Sequence, residues 1–303
     1  MTSIIFPGQG SQYVGMSKDF YENFDIARRT FQEIEEYVNL DLKKIIFSDE
    51  NDLINTTKYT QISIFTASVS IFKTYQNEMQ LDPSSINVML GHSLGEYTAL
   101  ACSNKLNLKE CSLILKKRGE LMNDAVPPNK SGMVALIGKS SEEVEEIIKI
   151  NKINLEIAND NSPIQVVLSG EIDEIKKNKD LFISNGIKKY IILNVSAAFH
   201  SNHMKNAQDI LSEEIKKLNF NNNSINIISN YSADISNDGE IIKSSLKSQM
   251  ANKVEWTKSV KKLEETGIQS IIEIGPGKVL SGLIKRISDN FDIKSINTIS
   301  DIS

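Results

Sequence analysis

Hydrophobic residues along this chain fall into two kinds of segment that alternate. The first is a short, nearly unbroken apolar run closed by glycine: TSIIFPG at 2–8, INVMLGHS at 86–93 and SIIEIG at 270–275. Such runs read as strands buried on both faces. The second kind repeats at helical spacing. Ile26, Phe31, Ile34, Tyr37 and Val38 mark one helix over 25–39. Residues 61–79, QISIFTASVSIFKTYQNEM, are apolar nearly all round, which predicts a helix buried on most sides. Helices over 94–105 and 106–126 follow. Strands separated by helices predict a parallel sheet covered on both faces.

The texture changes after VPPNKSG at 126–132, where Pro127, Pro128 and Gly132 read as a linker. Six short elements follow: a strand at 133–138, a helix at 140–150, strands at 155–160 and 165–170, a helix over 171–186 and a strand at 188–195. The order βαββαβ is that of a ferredoxin-like unit. Beyond it the α/β texture resumes, with helices over 203–220, 241–252, 256–267 and 278–288 and strands at 225–230, 270–275 and 294–300. The expected fold is therefore α/β: an α/β-hydrolase-like core with a parallel sheet from residues 1–129 and 197–303, and an inserted ferredoxin-like small subdomain over 130–196.

Composition narrows the function. The 303 residues are 40% hydrophobic and 24% charged, ordinary for a globular protein, and the net charge of −5 speaks against a general nucleic-acid binder. No run of about 18 apolar residues exists, so no membrane span is expected. MTSIIFPGQG lacks the basic region and apolar core of a signal peptide, which points to the cytoplasm or to a mature organellar form. Cys102 and Cys111 read as small buried side chains rather than a disulfide or metal pair. No cofactor and no metal are expected. GQG at 8–10 with Tyr13 fails the dinucleotide fingerprint, and GPGKV at 275–279 has Ile272 and Val279 where a phosphate loop needs Gly and Ser or Thr.

The chemistry centres on GHSLGEY at 91–97. Ser93 sits where a strand passes into a helix, between two glycines, the layout of a nucleophile elbow. The helix start would place the Leu94 amide beside an oxyanion formed on a substrate carbonyl. Whether the acyl group passes to water or to a thiol is not written in this stretch. A serine needs a base, and the chain has three histidines. His92 neighbours Ser93 and points elsewhere, into the pocket wall. His203 fits a solvated helix start. His200, in the AAFHS loop between the small unit and the next helix, ranks first. No Asp or Glu stands out as a third, orienting group, and a main-chain carbonyl can fill that place. Arg118 alone, beside Lys116 and Lys117, reads first as part of a solvated helix face.

Seven motifs then occur in order: FPGQGSQ at 6–12, GHSLGEY at 91–97, RGELM at 118–122, ANDNSPIQVVLSG at 158–170, AAFHS at 197–201, SNYSAD at 229–234 and EIGPGKVLSGL at 273–283. Together they resemble the malonyl-CoA:acyl carrier protein transacylases and the related acyltransferase domains of polyketide synthases, nearly end to end. The resemblance implies Ser93 as acylated nucleophile and His200 as general base, held by the main-chain carbonyl at Gln249. It implies the amides of Gln9 and Leu94 as oxyanion hole and Arg118 as the grip on the free carboxylate of malonate, reversing the reading of that arginine. Met122 matches a nearby pocket position, and Asn159 and Asn161 line the cleft. Phe199, giving AFH rather than ASH, favours unbranched malonyl. Ile164 departs from the family, where a glycine is expected. The implied partners are malonyl-CoA and a holo acyl carrier protein, with no nucleic acid and no membrane, and the implied state is a monomer. Lys188, Lys189, Lys285 and Arg286 are candidates for docking an acidic carrier. A polyketide-type transferase and a serine esterase or thioesterase on the same elbow are the rival functions.

Overall fold

The computed structural model describes residues 2–302. The elements run β1 (Thr2–Phe6), α1 (Lys18–Asn23), α2 (Asp25–Val38), α3 (Leu42–Phe47), α4 (Thr57–Glu78), β2 (Ile86–Gly91), α5 (Leu94–Cys102) and α6 (Leu108–Asp124). Then come β3 (Ser131–Ile137), α7 (Ser141–Asn151), β4 (Leu155–Ser162), β5 (Gln165–Glu171), α8 (Ile172–Lys177), α9 (Lys179–Ser184) and β6 (Lys189–Ile192). The rest is α10 (Lys205–Lys216), β7 (Asn226–Ile228), β8 (Ile235–Ser236), α11 (Gly239–Ser248), α12 (Trp256–Glu265), β9 (Ser270–Ile274), α13 (Val279–Ile284) and β10 (Asp292–Ile296).

These make a mixed α/β fold with two sheets. The larger has the order β10-β9-β1-β2-β7-β8, parallel except for the β7–β8 edge. Its strands are apolar on both faces because both are covered. Ile4, Phe6, Met89 and Ile274 join a large cluster with residues of α2, α4, α5 and α6. Ile5, Val88, Leu90 and Ile271 face the other way, onto Trp256, Val260 and Leu263 of α12 and Leu280 and Leu283 of α13.

The smaller sheet has the order β4-β5-β3-β6, antiparallel throughout. Its period-two pattern divides it between two cores. Val134, Leu136, Val166 and Leu168 pack with Val144 and Ile147 of α7, Ile175 of α8 and Phe182 of α9. Met133, Ala135 and Val167 turn to the other face and join the large cluster. Where the sheets meet, the Asp160 amide donates to the Val254 carbonyl at 3.0 Å and the Val254 amide to the Ala158 carbonyl at 2.9 Å.

Several elements differ from their apolar patterns, two of them for a local polar reason. The helix expected over 171–186 is two, because Asn178 leaves helical geometry and its Nδ2 donates to the Glu174 carbonyl at 2.8 Å. The last strand lies at 292–296 rather than 294–300. Asp301 Oδ2 takes the amides of Asn297 at 3.0 Å and Thr298 at 2.9 Å, which turns the chain into a 3-10 turn. The long apolar helix begins at Thr57, before its apolar run. Helices α1 and α3, six residues each, are too short for a periodic signature.

Candidate active site

Strand β2 delivers the chain to a sharp turn and α5 leaves it. Ser93 stands between them with φ 54° and ψ −108°, outside the relaxed regions for a non-glycine residue and costing about 1–3 kcal/mol. The turn has no room for side chains at its flanks. A Cβ on Gly91 would lie 2.1 Å from the Gly95 carbonyl carbon, and one on Gly95 would lie 2.2 Å from the Phe6 carbonyl oxygen. Asn230 ties the turn from outside. Its Oδ1 accepts from the Ser93 amide at 2.6 Å and its Nδ2 donates to the Gly91 carbonyl at 2.7 Å. The Leu94 amide opens α5, where helix geometry supplies no partner four residues back.

His200 reaches the same point from the loop after β6. That loop is pinned by the small sheet: Ser169 Oγ donates to the Phe199 carbonyl at 2.5 Å, and the Ala198 amide donates to Ser131 Oγ at 3.0 Å. His200 Nε2 lies 2.8 Å from Ser93 Oγ. Its Nδ1 faces two carbonyl oxygens, of Gln249 at 3.1 Å and Asn252 at 3.2 Å. Two acceptors require the proton on Nδ1, which leaves the Nε2 lone pair for the serine hydroxyl. Burial pushes the imidazole down to about 3, and the Arg118 charge acts in the same direction, so the ring is neutral at neutral pH.

Arg118 is 1% exposed. It sits in the buried stripe of α6 with Cys111, Leu115 and Met122, in phase with the helix, while Lys117 is exposed and the half-buried Lys116 reaches the Val38 carbonyl at 2.9 Å. Gly119 lets α6 close on the start of α4, since a Cβ there would meet the Lys58 carbonyl oxygen at 3.0 Å. That approach brings Arg118 Nη1 to Gln61 Oε1 of α4 at 2.6 Å. Its Nη2 donates to Gln249 Oε1 at 3.0 Å and to Ser93 Oγ at 3.1 Å. The guanidinium lies 5.4 Å above the Tyr97 ring.

A cavity of about 430 Å³ opens onto Ser93 and His200 between the two sheets. Gln9, Met122, Asn159, Asn161 and Phe199 line it, with His92. His92 Nε2 is 2.9 Å from Asn161 Oδ1 and its ring packs 5.5 Å from Trp256, so it belongs to the wall and not to the serine. Gln9 Nε2 donates to Thr57 Oγ1 at 3.4 Å. The structure thus brings Ser93, His200, Arg118, Gln249, Leu94 and Gln9 to one place. His203 stands apart, partly exposed in the 3-10 turn that leads directly into α10, 3.1 Å from Glu171 Oε1. Lys188, Lys189, Lys285 and Arg286 are exposed, and both cysteines are free and buried.

Gln61, Glu96, Asn230 and Asn252 carry the site's inner hydrogen bonds and have no spacing of their own in the sequence. Gln61 does leave a trace, a long polar side chain at the head of the apolar run of α4. Asn230 and Glu96 lie inside SNYSAD and GHSLGEY, where motif order marks the stretch but not the residue. Among the described residues, no group of three or more His, Cys, Asp or Glu could hold a metal ion, and no helix is long and apolar enough to cross a membrane.

A mixed α/β fold with a strained serine between a parallel strand and a helix, faced by a neutral imidazole and a buried guanidinium, defines a class of serine-centred acyl-group proteins. Residues 4–301 match the family described as acyl transferase domain, and the chain belongs to that family. It is 36% identical over 289 residues to the malonyl CoA-acyl carrier protein transacylase of Bacillus subtilis, covering 94% of this chain and 90% of that one. An acyl carrier protein S-malonyltransferase from Vibrio cholerae has a similar structure, with TM-score 0.93 and 34% identity over 99% of this chain and 98% of that one. So does a malonyl-transacylase solved in complex with its type II polyketide acyl carrier protein, with TM-score 0.94 and 32% identity over 99% and 97%.

Proposed function

We infer that this chain is a malonyl-CoA:acyl carrier protein transacylase, an acyl carrier protein S-malonyltransferase of fatty acid biosynthesis. The observation that carries the reading is the buried Arg118 guanidinium held 3.1 Å from the same Ser93 Oγ that faces His200. A hydrolase of simple esters has no use for a cation there, whereas a malonyl group brings a free carboxylate that needs one.

In the proposed cycle Ser93 Oγ attacks the malonyl thioester carbonyl while its proton passes to His200 Nε2. Gln9 and Leu94 offer their amides to the oxyanion. The C–S bond then breaks, and the imidazolium returns its proton to the leaving coenzyme A sulfur. The phosphopantetheine thiol of the holo carrier attacks malonyl-Ser93 by the same steps in reverse, completing a ping-pong exchange. Arg118 holds the malonyl carboxylate throughout, Gln249 orients His200 through its carbonyl, and Met122, Phe199, His92, Asn159 and Asn161 shape the cleft.

The finer fold assignment is part of the same proposal: an α/β-hydrolase-like core from 1–129 and 197–303 and a ferredoxin-like subdomain over 130–196. The all-antiparallel order β4-β5-β3-β6 and the separate core beneath it support the second. We place the enzyme in the cytoplasm as a monomer, a compartment whose reducing conditions keep the carrier thiol free. Incubation with malonyl-CoA and intact-mass measurement tests the reading. The wild-type protein gains one malonyl group and Ser93→Ala gains none. A Ser93→Ala protein that still carried malonate, or free malonate as the main product beside holo carrier, would overturn it.

A further inference from the structure

Glu96 is fully buried in the first turn of α5, three residues after Ser93, and the chemistry above does not use it. A carboxyl in that position is expensive to bury without partners. Its Oε2 accepts from Gln249 Nε2 at 2.7 Å and from the Asn230 amide at 3.1 Å. Each of those partners leads to the site. Gln249 Nε2 also donates to the Ser93 carbonyl at 2.9 Å, and Gln249 Oε1 accepts from Arg118 Nη2 at 3.0 Å. Asn230 is the residue that ties both sides of the elbow.

A glutamine amide can be rotated end for end at little internal cost, so its orientation is set by its partners. Here the two acceptors, Glu96 Oε2 and the Ser93 carbonyl, claim the Nε2 end. Only then does Oε1 face Arg118. Rotated, the amide would set donor against donor at the guanidinium and push it from its place beside Ser93 Oγ. His200 does not depend on that amide, because it is held by main-chain carbonyls of Gln249 and Asn252.

We propose that Glu96 is a positioning residue for carboxylate recognition: by fixing the Gln249 amide it holds Arg118 where the malonyl carboxylate binds. This rests on the malonyltransferase reading above. Burial pushes the Glu96 carboxyl up to about 7, against the opposing pull of the Gln249 and Asn230 hydrogen bonds and the Arg118 charge. Protonated on Oε1 or ionised, the carboxyl leaves Oε2 free to accept from the amide, so the geometry holds in either state.

The readout is the ratio of kcat/KM for malonyl-CoA to that for acetyl-CoA in forming acyl-Ser93, by quenched-flow mass spectrometry on the full chain. A purely structural loss lowers both rates and leaves their ratio in place. Glu96→Ala is expected to lower the ratio about tenfold or more, the scale of one charge-assisted contact, and Glu96→Gln to stay within about threefold of wild type. Placed in an Arg118→Ala background, Glu96→Ala is expected to leave the ratio unchanged, since it acts through that arginine. If Glu96→Ala does not fold, Gln249→Met cuts the same bridge from the other side and is expected to give the same loss. A folded Glu96→Ala or Gln249→Met protein with the wild-type ratio overturns the proposal, as does an equal loss without Arg118. Absence of malonyl-Ser93 on the wild-type protein would instead sink the functional reading itself.

Discussion

On the proposed function, replacing Arg118 by alanine removes the cation that would tell a malonyl from an acetyl thioester. The guanidinium is 1% exposed and makes three hydrogen bonds, to Gln61, Gln249 and Ser93. A charge-assisted hydrogen bond in such a setting is worth roughly 1.5–3 kcal/mol net, and about 1.4 kcal/mol is tenfold, so discrimination should fall roughly 10- to 100-fold. The acetyl reaction gains relative to malonyl because its methyl no longer faces a buried cation. Overall stability should change little, since losing a buried charge offsets the cavity and the two glutamine oxygens left without a donor. Arg118→Lys separates charge from shape. It keeps a cation but replaces two bonding nitrogens by one, and it should fall between wild type and alanine. Initial rates of acyl-Ser93 formation with each thioester, alongside thermal melts of each variant, measure all of this. A folded Arg118→Ala protein with undiminished malonyl preference would refute the assignment of the carboxylate site.

Other outcomes follow from the same geometry. Because burial holds His200 neutral down to about 3, below its ordinary 6.5, the acylation rate of Glu96→Gln, in which the carboxyl near 7 no longer titrates, should stay level as pH falls from about 8 to about 5; an acid limb centred between about 6 and 7 in that variant would show an imidazole in ordinary surroundings. Gly91→Ala sets a Cβ 2.1 Å from the Gly95 backbone and should cost at least the roughly 3 kcal/mol of severe overpacking, seen as a lowered Tm or loss of folded protein. Charge reversal at the exposed Lys188, Lys189, Lys285 and Arg286 should slow transfer to the carrier, steepest at low salt, and spare loading from malonyl-CoA. Equal effects on both half-reactions would remove these residues from carrier docking.

Local pattern in the sequence determines much of this protein. Parallel strands buried on both faces are largely apolar, and β1, β2 and β9 stand out for that reason. The elbow is local too, since a strand, two glycines and a helix start specify the turn that exposes Ser93. With few histidines the candidate base could be narrowed to the loop of His200, and the order of the motifs pointed to Arg118, Gln9 and Gln249 as further candidates. Short-range polar competition was less legible. Asn178 divides one helix and Asp301 ends a strand early, by local hydrogen bonds that leave the hydrophobic pattern untouched.

Tertiary structure alone decided what each site residue touches. Arg118 reads as one more cation beside Lys116 and Lys117 until the closeness of α6 and α4, permitted by Gly119, buries it against Gln61. Gln61, Glu96, Asn230 and Asn252 lie far apart in sequence and converge through four different elements or loops, so no periodicity can announce them. Periodicity reports which face of an element is apolar. It carries no information about which buried polar groups meet across elements, and in this protein those meetings set the tautomer of the base, the place of the arginine and the grip on the elbow.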